Sequence, residues 1–173
     1  MSGKKNIFRK KDGFSLVELM IVIGIMAVLV GLTALGFGYF GSAAAKEATH
    51  GINSGLSDLK SETMAKSQKV YMHLNRYNGD YYVTYTDSDS FTPDGTGKKI
   101  GDSRVTITCA GTEMADNTDI CFSMRKKDGA FTHGPFAASG ITTISVVADN
   151  GSNYDVKVVK DTGKHYIEHH AAG

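Results

Sequence analysis

A run without a charged side chain extends from Leu19 to Ala45, near the start of the 173-residue chain. It exceeds the roughly 20 residues that a membrane-spanning helix needs. Because a basic segment precedes the run, the positive-inside rule predicts a cytoplasmic N-terminus and an exported body. The preceding basic residues are Lys4, Lys5, Arg9, Lys10 and Lys11.

The basic charge belongs to the N-terminal tip and not to the body. The whole chain has 19 basic and 18 acidic residues, of which residues 1–13 hold five and one. The remainder therefore holds 14 basic and 17 acidic residues, a net charge of −3. This balance does not indicate a general nucleic-acid-binding protein, and the length suits one ordinary domain.

Glu18 lies at the edge of the uncharged run, where a charge needs an explanation. A charged side chain costs roughly 2.5–3.5 kcal/mol at the centre of a membrane helix and less near its edge. No basic residue follows Glu18 within one helical turn. Two simpler interpretations leave the carboxylate without a partner. One is a secretory signal peptide cleaved at "GSAAAKEA", and the other is a plain single-span anchor.

The segment "KKDGFSLVELMIVIGIMAVL" resembles the N-terminus of type IV pilins and of the pseudopilins of type II secretion. The shared signature is a basic leader, a glycine, a phenylalanine, a glutamate four residues later and an apolar helix. It matches here at Gly13, Phe14 and Glu18. The resemblance implies cleavage between Gly13 and Phe14 by a prepilin peptidase, N-methylation of Phe14 and retention of the apolar run. It also implies that Glu18 neutralises the new N-terminal amine of a neighbouring subunit and so favours the axial register.

Apolar residues recur every three to four positions from Ala44 to Leu59, which predicts an amphipathic helix ending near Lys66–Ser67. Gly51 and Gly55 make this part weaker than an ideal helix. We therefore expect an α+β pilin fold, with a long helix, half transmembrane and half amphipathic, packed on an antiparallel β-sheet head. The expected parts are a cleaved leader (1–13), a transmembrane and assembly helix (14–45), its amphipathic continuation (46–67) and an exported head (68–173).

Short segments rich in Val, Ile, Thr and Tyr predict the strands of the head. Asn-Gly and Asp-Gly pairs separate them, and the hairpins "YNGDYYV" and "ADNGSNYDV" carry the strongest turn signals. The predicted strands are "KVYMHLN", "DYYVTYT", "SRVTITC", "DICFSMR", "TTISVVAD" and "NYDVKVVK". We expect the resulting sheet to bury one face on the helix.

The end of the chain, "VKDTGKHYIE", also resembles the GspH/FimT group of minor pilins and pseudopilins, in which the last strand often follows a glycine and a basic residue. Gly163-Lys164 occupies that place here. The resemblances imply a structural pilus subunit, minor or major, with no cofactor. Its implied partners are the prepilin peptidase, other pilin subunits, the cytoplasmic membrane and the assembly machinery. A type II secretion pseudopilin and a membrane-anchored binding module are the alternatives.

Cys109 and Cys121 are the two cysteines. In an exported body they predict a disulfide, with a stabilisation of about 3 kcal/mol by the loop-entropy model. Two free thiols are the alternative. Without a CxxC pair, a metal site at these cysteines is not indicated.

No nucleophile, dinucleotide or phosphate-loop motif is present, so we predict neither an enzyme nor a catalytic residue. Two polar segments are candidate metal sites. Histidines four residues apart can share a helical face, but the C-terminus is more typical of a last strand with a frayed tail. The acidic loop "TDSDSFTPDGTGKK" lacks EF-hand spacing, so we predict a solvated loop and no metal. The residues concerned are His165, Glu168, His169 and His170, and Asp87, Asp89 and Asp94.

Small basic groups lie among the predicted strands, and tyrosines accompany them in the sequence. They favour either a DNA-contacting face or solvated sheet edges, where lysine discourages edge-to-edge pairing. The basic residues are Lys98, Lys99, Arg104, Arg125, Lys126 and Lys127.

Overall fold

The structure is a computed structural model that describes residues 15–170, without the side chains of residues 32–40. The described chain divides between Phe37 and Gly38 into an N-terminal unit and a second unit, which we call the head. Among the described residues, no helix combines the length and the apolar character that crossing a bilayer requires.

Helix α1 spans Leu16–Ala65 and ends next to the predicted limit. Within the head, its residues at spacings of three and four are fully buried, as the apolar periodicity predicted. Ala45, Ala48, Ile52, Leu56 and Leu59 form this buried stripe.

In residues 66–170 ten strands follow the helix, and all of their pairings are antiparallel. The strands are β1 Tyr71–Tyr77, β2 Asp80–Thr86, β3 Lys98–Gly101, β4 Val105–Cys109, β5 Thr112–Glu113, β6 Thr118–Met124, β7 Phe131–His133, β8 Ile141–Ala148, β9 Asn153–Val159 and β10 Lys164–His170. The six segments predicted from composition correspond to β1, β2, β4, β6, β8 and β9.

The two predicted hairpins are confirmed. Tyr77 pairs with Asp80 across a two-residue turn. Both turn residues have positive φ, 51° at Asn78 and 81° at Gly79, which matches the twist of the flanking strands. The second hairpin joins β8 to β9, with Gly151 at φ 84° in its turn.

The head contains two five-stranded sheets where a single sheet was expected. Sheet A has the order β3-β2-β1-β6-β7, and sheet B has the order β10-β9-β8-β4-β5. The consecutive strands β3 and β4 therefore belong to different sheets. The α+β class, with a long helix on an antiparallel head, is confirmed.

One apolar core joins the helix to both sheets. Tyr85 of sheet A donates a hydrogen bond from its hydroxyl to the carbonyl oxygen of Gly55, at 2.9 Å. Gly51 lies so close to β3 that an ideal Cβ would stand 2.6 Å from Ile100 Cγ2. The two helical glycines thus serve a close approach between helix and sheet, and not only a weakening of the helix.

Candidate functional site

The start of helix α1 is capped by its own side chains. Ser15 precedes the first helical residue, and its Oγ accepts the backbone N–H of Val17 at 3.2 Å. The Ser15 carbonyl oxygen accepts the N–H of Leu19 at 3.1 Å. Glu18 lies in the first turn, where a carboxylate faces the partial positive charge of the helix N-terminus.

Ser15 and Glu18 have the spacing of a capping box, Ser-x-x-Glu before an apolar run. In the structure the Ser15 hydroxyl accepts the N–H of Val17, so the local role of Glu18 is to place a carboxylate in the first turn, where the helix dipole stabilises it. The Glu18 side chain is exposed, so its carboxylate is also accessible to a cation from another molecule. Stabilisation of the helix start and intermolecular pairing are compatible roles for this residue.

Large apolar side chains surround the helix from Leu16 to Val30. Leu16 is 75% exposed. Exposed apolar residues occupy the consecutive positions 19–23, which point to every side of a helix. A helix that is apolar all round is typical of a membrane span or of a packed core. This surface therefore requires an apolar environment.

Three residues were predicted to act in processing and assembly. Gly13 and Phe14, the predicted cleavage and methylation positions, lie outside the described residues. Glu18 lies among the described residues, so the structure describes only the residue that was predicted to act in assembly.

In this structure Cys109 and Cys121 are free thiols, the alternative to the predicted disulfide. Cys109 ends β4 in sheet B and belongs to the core. Cys121 lies in sheet A beside the fully buried Phe122. Because neighbouring strand residues point to opposite faces, Cys121 faces away from the core that contains Cys109.

Neither thiol is activated for chemistry. Burial raises the pKa of Cys109 to about 12. Burial, followed by the nearby carboxylates of Asp119 and Asp89, raises the pKa of Cys121 to about 11. Since the thiolate is the reactive form, both cysteines stay protonated and inert at neutral pH.

A buried imidazole, His73, was not singled out from the sequence. It is fully buried, with Nδ1 2.7 Å from Asp119 Oδ2 and Nε2 3.0 Å from the Ser88 carbonyl oxygen. The Phe91 ring covers it, with ring centroids 4.9 Å apart. These contacts hold the loop between β2 and β3, residues 87–97, against sheet A.

The histidine-rich C-terminus is a paired strand as far as His170, so the predicted frayed tail is wrong over that range. Lys164 to His170 pair with β9 at every position. The histidines point to separate places. His165 Nε2 lies 2.9 Å from Ser57 Oγ on helix α1, whereas the His169 ring packs on Tyr154 with centroids 4.6 Å apart.

Asp155, Glu168 and His170 bring together three groups of the kind that bind metals, with ligand atoms within 4.8 Å of one another. The ammonium of Lys157 lies 3.2 Å from Asp155 Oδ2 and 3.8 Å from Glu168 Oε2. Burial acts to raise the pKa of Asp155, but hydrogen bonds from Ser145, Lys157 and His170 outweigh it and hold that pKa below its usual value. A cation of the chain itself thus neutralises the carboxylates, and the group is an ion-pair network between β9 and β10.

The predicted acidic loop carries exposed aspartates. Asp94 Oδ1 accepts the Thr96 hydroxyl at 2.6 Å and the Thr96 N–H at 2.9 Å, and these bonds lower the pKa of Asp94. Among the described residues, the one group with metal-binding geometry does not include Asp87, Asp89 or Asp94.

The structure separates the two basic groups. Lys99 and Arg104 are neutralised locally, each with a nitrogen 2.6 Å from a carboxylate oxygen of Asp80 and Asp102 respectively. The second group lies in the turn between β6 and β7, residues 125–130. Among the described residues, the first group is thus largely neutralised by neighbouring carboxylates and lies on other strands than the second, which does not favour a shared DNA-contacting surface.

Comparison with known families identifies the N-terminus. Residues 8–34 match the family model described as the prokaryotic N-terminal methylation motif. The matched range contains Gly13, Phe14 and Glu18, and it leaves the head outside. No curated protein and no solved structure is significantly similar to the chain.

Proposed function

We propose that this chain, whose N-terminus carries the methylation motif of type IV pilins and pseudopilins, is a structural subunit of a type IV pilus-like filament. The observation that carries the proposal is the family match over residues 8–34. The exposed apolar helix supports it, since such a surface suits a subunit that packs its helix against those of its neighbours. The proposed role is assembly.

In this proposal a prepilin peptidase cuts between Gly13 and Phe14, and Phe14 is then N-methylated. Replacing Gly13 with leucine should leave the leader in place, because the residue before the cut is changed. Intact-mass spectrometry of the chain extracted from cells measures this. The control is Gly3→Leu, within the leader but away from the cut. A mature natural chain that starts at another residue would show that the cleavage site is assigned wrongly, and a mature chain that starts at methyl-Phe14 in the Gly13 variant would show that Gly13 is not required for the cut.

We propose that Glu18 pairs with the Phe14 amine of a neighbouring subunit. An unpaired charge among apolar helices is costly, and pairing between subunits removes that cost only in the correct register. Glu18→Ala should therefore be processed normally, yet enter filaments at least about tenfold less than the natural chain.

A matched control separates the loss of the Glu18 charge from the loss of stability at the start of the helix. Ser15→Ala removes the cap to Val17 without changing charge, and should retain incorporation. Filaments of normal yield from Glu18→Ala would contradict the pairing. Equal losses in both variants would indicate that stability of the helix start, and not the charge of Glu18, explains the loss.

Before assembly, we place the chain in the cytoplasmic membrane with its N-terminus inside and its head outside. The uncharged run from Leu19 to Ala45 and the basic leader support this orientation. The subunit then moves, through the assembly machinery, into an extracellular or periplasmic filament. Protease added to spheroplasts should digest the head, and full protection of the head would contradict the orientation.

A pilus subunit and a secretion pseudopilin share this motif. The C-terminal likeness to the GspH/FimT group favours a minor subunit within the proposal. The amount of the chain in sheared surface filaments distinguishes a major pilin, a minor pilin and a pseudopilin. A dominant band indicates a major pilin, a trace amount indicates a minor pilin, and absence from filaments in cells that process the chain indicates a pseudopilin.

A further inference from the structure

The end of helix α1 and two turns meet on one surface of the head. Lys126 donates a hydrogen bond from Nζ to the carbonyl oxygen of Lys66, at 3.0 Å. Gly129 packs on Lys60, whose Cε would lie 2.9 Å from an added Cβ. Gly163, at φ 63°, lies so close to the Gly129 carbonyl that an added Cβ would overlap the oxygen. We call this surface the basic end, and it consists of residues 60–66, 125–130 and 160–164.

The basic end has a charge opposite to that of the remaining head. It holds seven basic and three acidic residues, a formal net charge of +4. Residues 46–173 outside it hold seven basic and 13 acidic residues, a net charge of −6. Lys127 and Lys160 are exposed and form no ion pair within the part of the chain that the structure describes.

The loop of residues 87–97 is an acidic surface, which we call the acidic loop, and it begins beside the basic end, where Asp87 and Lys66 line one depression. It contains three aspartates and no basic residue. The contacts of His73 with Ser88 and Phe91 hold it in place. Asp87 and Asp89 are exposed, and neither makes an ion pair with another described residue. The loop therefore presents negative charge at a fixed position.

We propose that the basic end of one copy docks on the acidic loop of a second copy. One chain supplies both complementary surfaces, so a second copy is the partner that charge complementarity favours. When each copy uses its basic end toward one neighbour and its acidic loop toward another, the contact is heterologous and can propagate along an open filament. The inference rests on the proposed function, since assembly is what brings copies together, and it adds a contact between heads to the packing of helices.

Charge reversal on each surface tests the contact in full-length chains that assemble in cells. Lys127→Glu/Lys160→Glu and Asp87→Lys/Asp89→Lys should each lower the amount of chain in sheared filaments about tenfold, because like charges then face each other. The combination of all four changes restores opposite charges and should return incorporation to within about threefold of the natural chain. Lys46→Glu/Lys98→Glu is the matched control, with the same charge change outside both surfaces, and should assemble normally.

Zero-length carbodiimide coupling of natural filaments should join a lysine of the basic end to Asp87 or Asp89 in dimers resolved by gel and identified by mass spectrometry.

Normal filament yield from both reversed pairs would overturn the docking while the proposed function stands. Loss without rescue by the fourfold variant would also overturn it. If the natural full-length chain in detergent then binds duplex DNA or heparin, and Lys127→Glu/Lys160→Glu does not, a polyanion is the partner. Failure of the natural chain to enter any filament would instead refute the proposed function.

Discussion

Replacing Gly51 with alanine should destabilise the head, although alanine is the better helix former. An ideal Cβ at this position would lie 2.6 Å from Ile100 Cγ2 and 2.7 Å from Ile100 Cβ. Ile100 is 4% exposed, and its Cβ cannot rotate away because it is bonded to the strand backbone. Alanine would therefore force helix α1 and β3 apart.

Two effects of opposite sign set the size of this change. Alanine gains roughly 1 kcal/mol in helix propensity over glycine. Overpacking a filled core costs about 1–3 kcal/mol, and a clash that rotation cannot relieve belongs to the upper part of that range. We expect the free energy of unfolding to fall by about 1–2 kcal/mol. Urea denaturation of the full-length chain in mild detergent, followed by circular dichroism, measures it.

Gly55→Ala is the matched control, one turn later in the same helix. Its Cβ would lie 3.2 Å from Val83 Cγ1 and 3.3 Å from Met72 Sδ, and methionine is flexible enough to yield. Propensity and strain should then cancel to within about 0.5 kcal/mol. If Gly51→Ala proved as stable as Gly55→Ala, the close approach of β3 would not be the reason for glycine at position 51.

Three further outcomes follow from the geometry. Because the folded-state pKa of Asp155 is depressed, its stabilisation is complete above the unfolded value of about 3.9 and is lost as the pH falls through the folded value. Urea unfolding between pH 6 and pH 2 should therefore show a steeper acid loss in the natural chain than in Asp155→Asn. Tyr85→Phe removes the bond to the Gly55 carbonyl and should lower the free energy of unfolding by about 1 kcal/mol, measured in the same urea assay. Cys109 and Cys121, with pKa values raised to about 12 and about 11, should resist iodoacetamide at pH 7.5 in the folded chain and react in urea, as intact mass will show.

Local signals predicted the elements of the head well. The hairpin at Asn78-Gly79 and the hairpin at Asn150-Gly151 follow from turn residues that tolerate positive φ. The six β-rich segments are strands because side-chain shape and alternation act over a few neighbouring residues. The short strands β3, β5 and β7 were missed, since four residues or fewer carry too little pattern to be read.

The division into two sheets could not be predicted in this way. It depends on β1 pairing with β6 and on β4 pairing with β8, which are distant in sequence. Nothing local marks the connection between Gly101 and Val105 as the place where the chain leaves one sheet for the other. The surroundings of Cys109 and Cys121 could not be predicted for the same reason, because counting cysteines does not show which sheet or which face each one occupies.

The roles of the N-terminal residues were predicted from local sequence. Gly13, Phe14 and Glu18 were proposed from a family resemblance, and the matching motif spans the same segment. The position of Glu18 in the first helical turn adds a purely local reason for this residue, which the resemblance did not contain. The Ser15→Ala and Glu18→Ala pair is informative because only one of the two removes the charge.

The effect of a charged residue could not be predicted from local sequence, because it depends on neighbouring residues whose positions the sequence does not give. Lys99 and Lys127 are the same residue type, yet Lys99 forms an ion pair with Asp80 on the adjacent strand. Lys127 forms no ion pair within the described residues, and its charge acts on Asp128 only at longer range. An ion pair already formed at an exposed site is worth about 1 kcal/mol or less and leaves little charge to attract another molecule. Unpaired lysines on a surface of net positive charge keep their field available to a partner. The second basic group, at Lys127, is therefore where a contact with another copy should form, and the first group, at Lys99, is where charge reversal should affect the fold more than assembly.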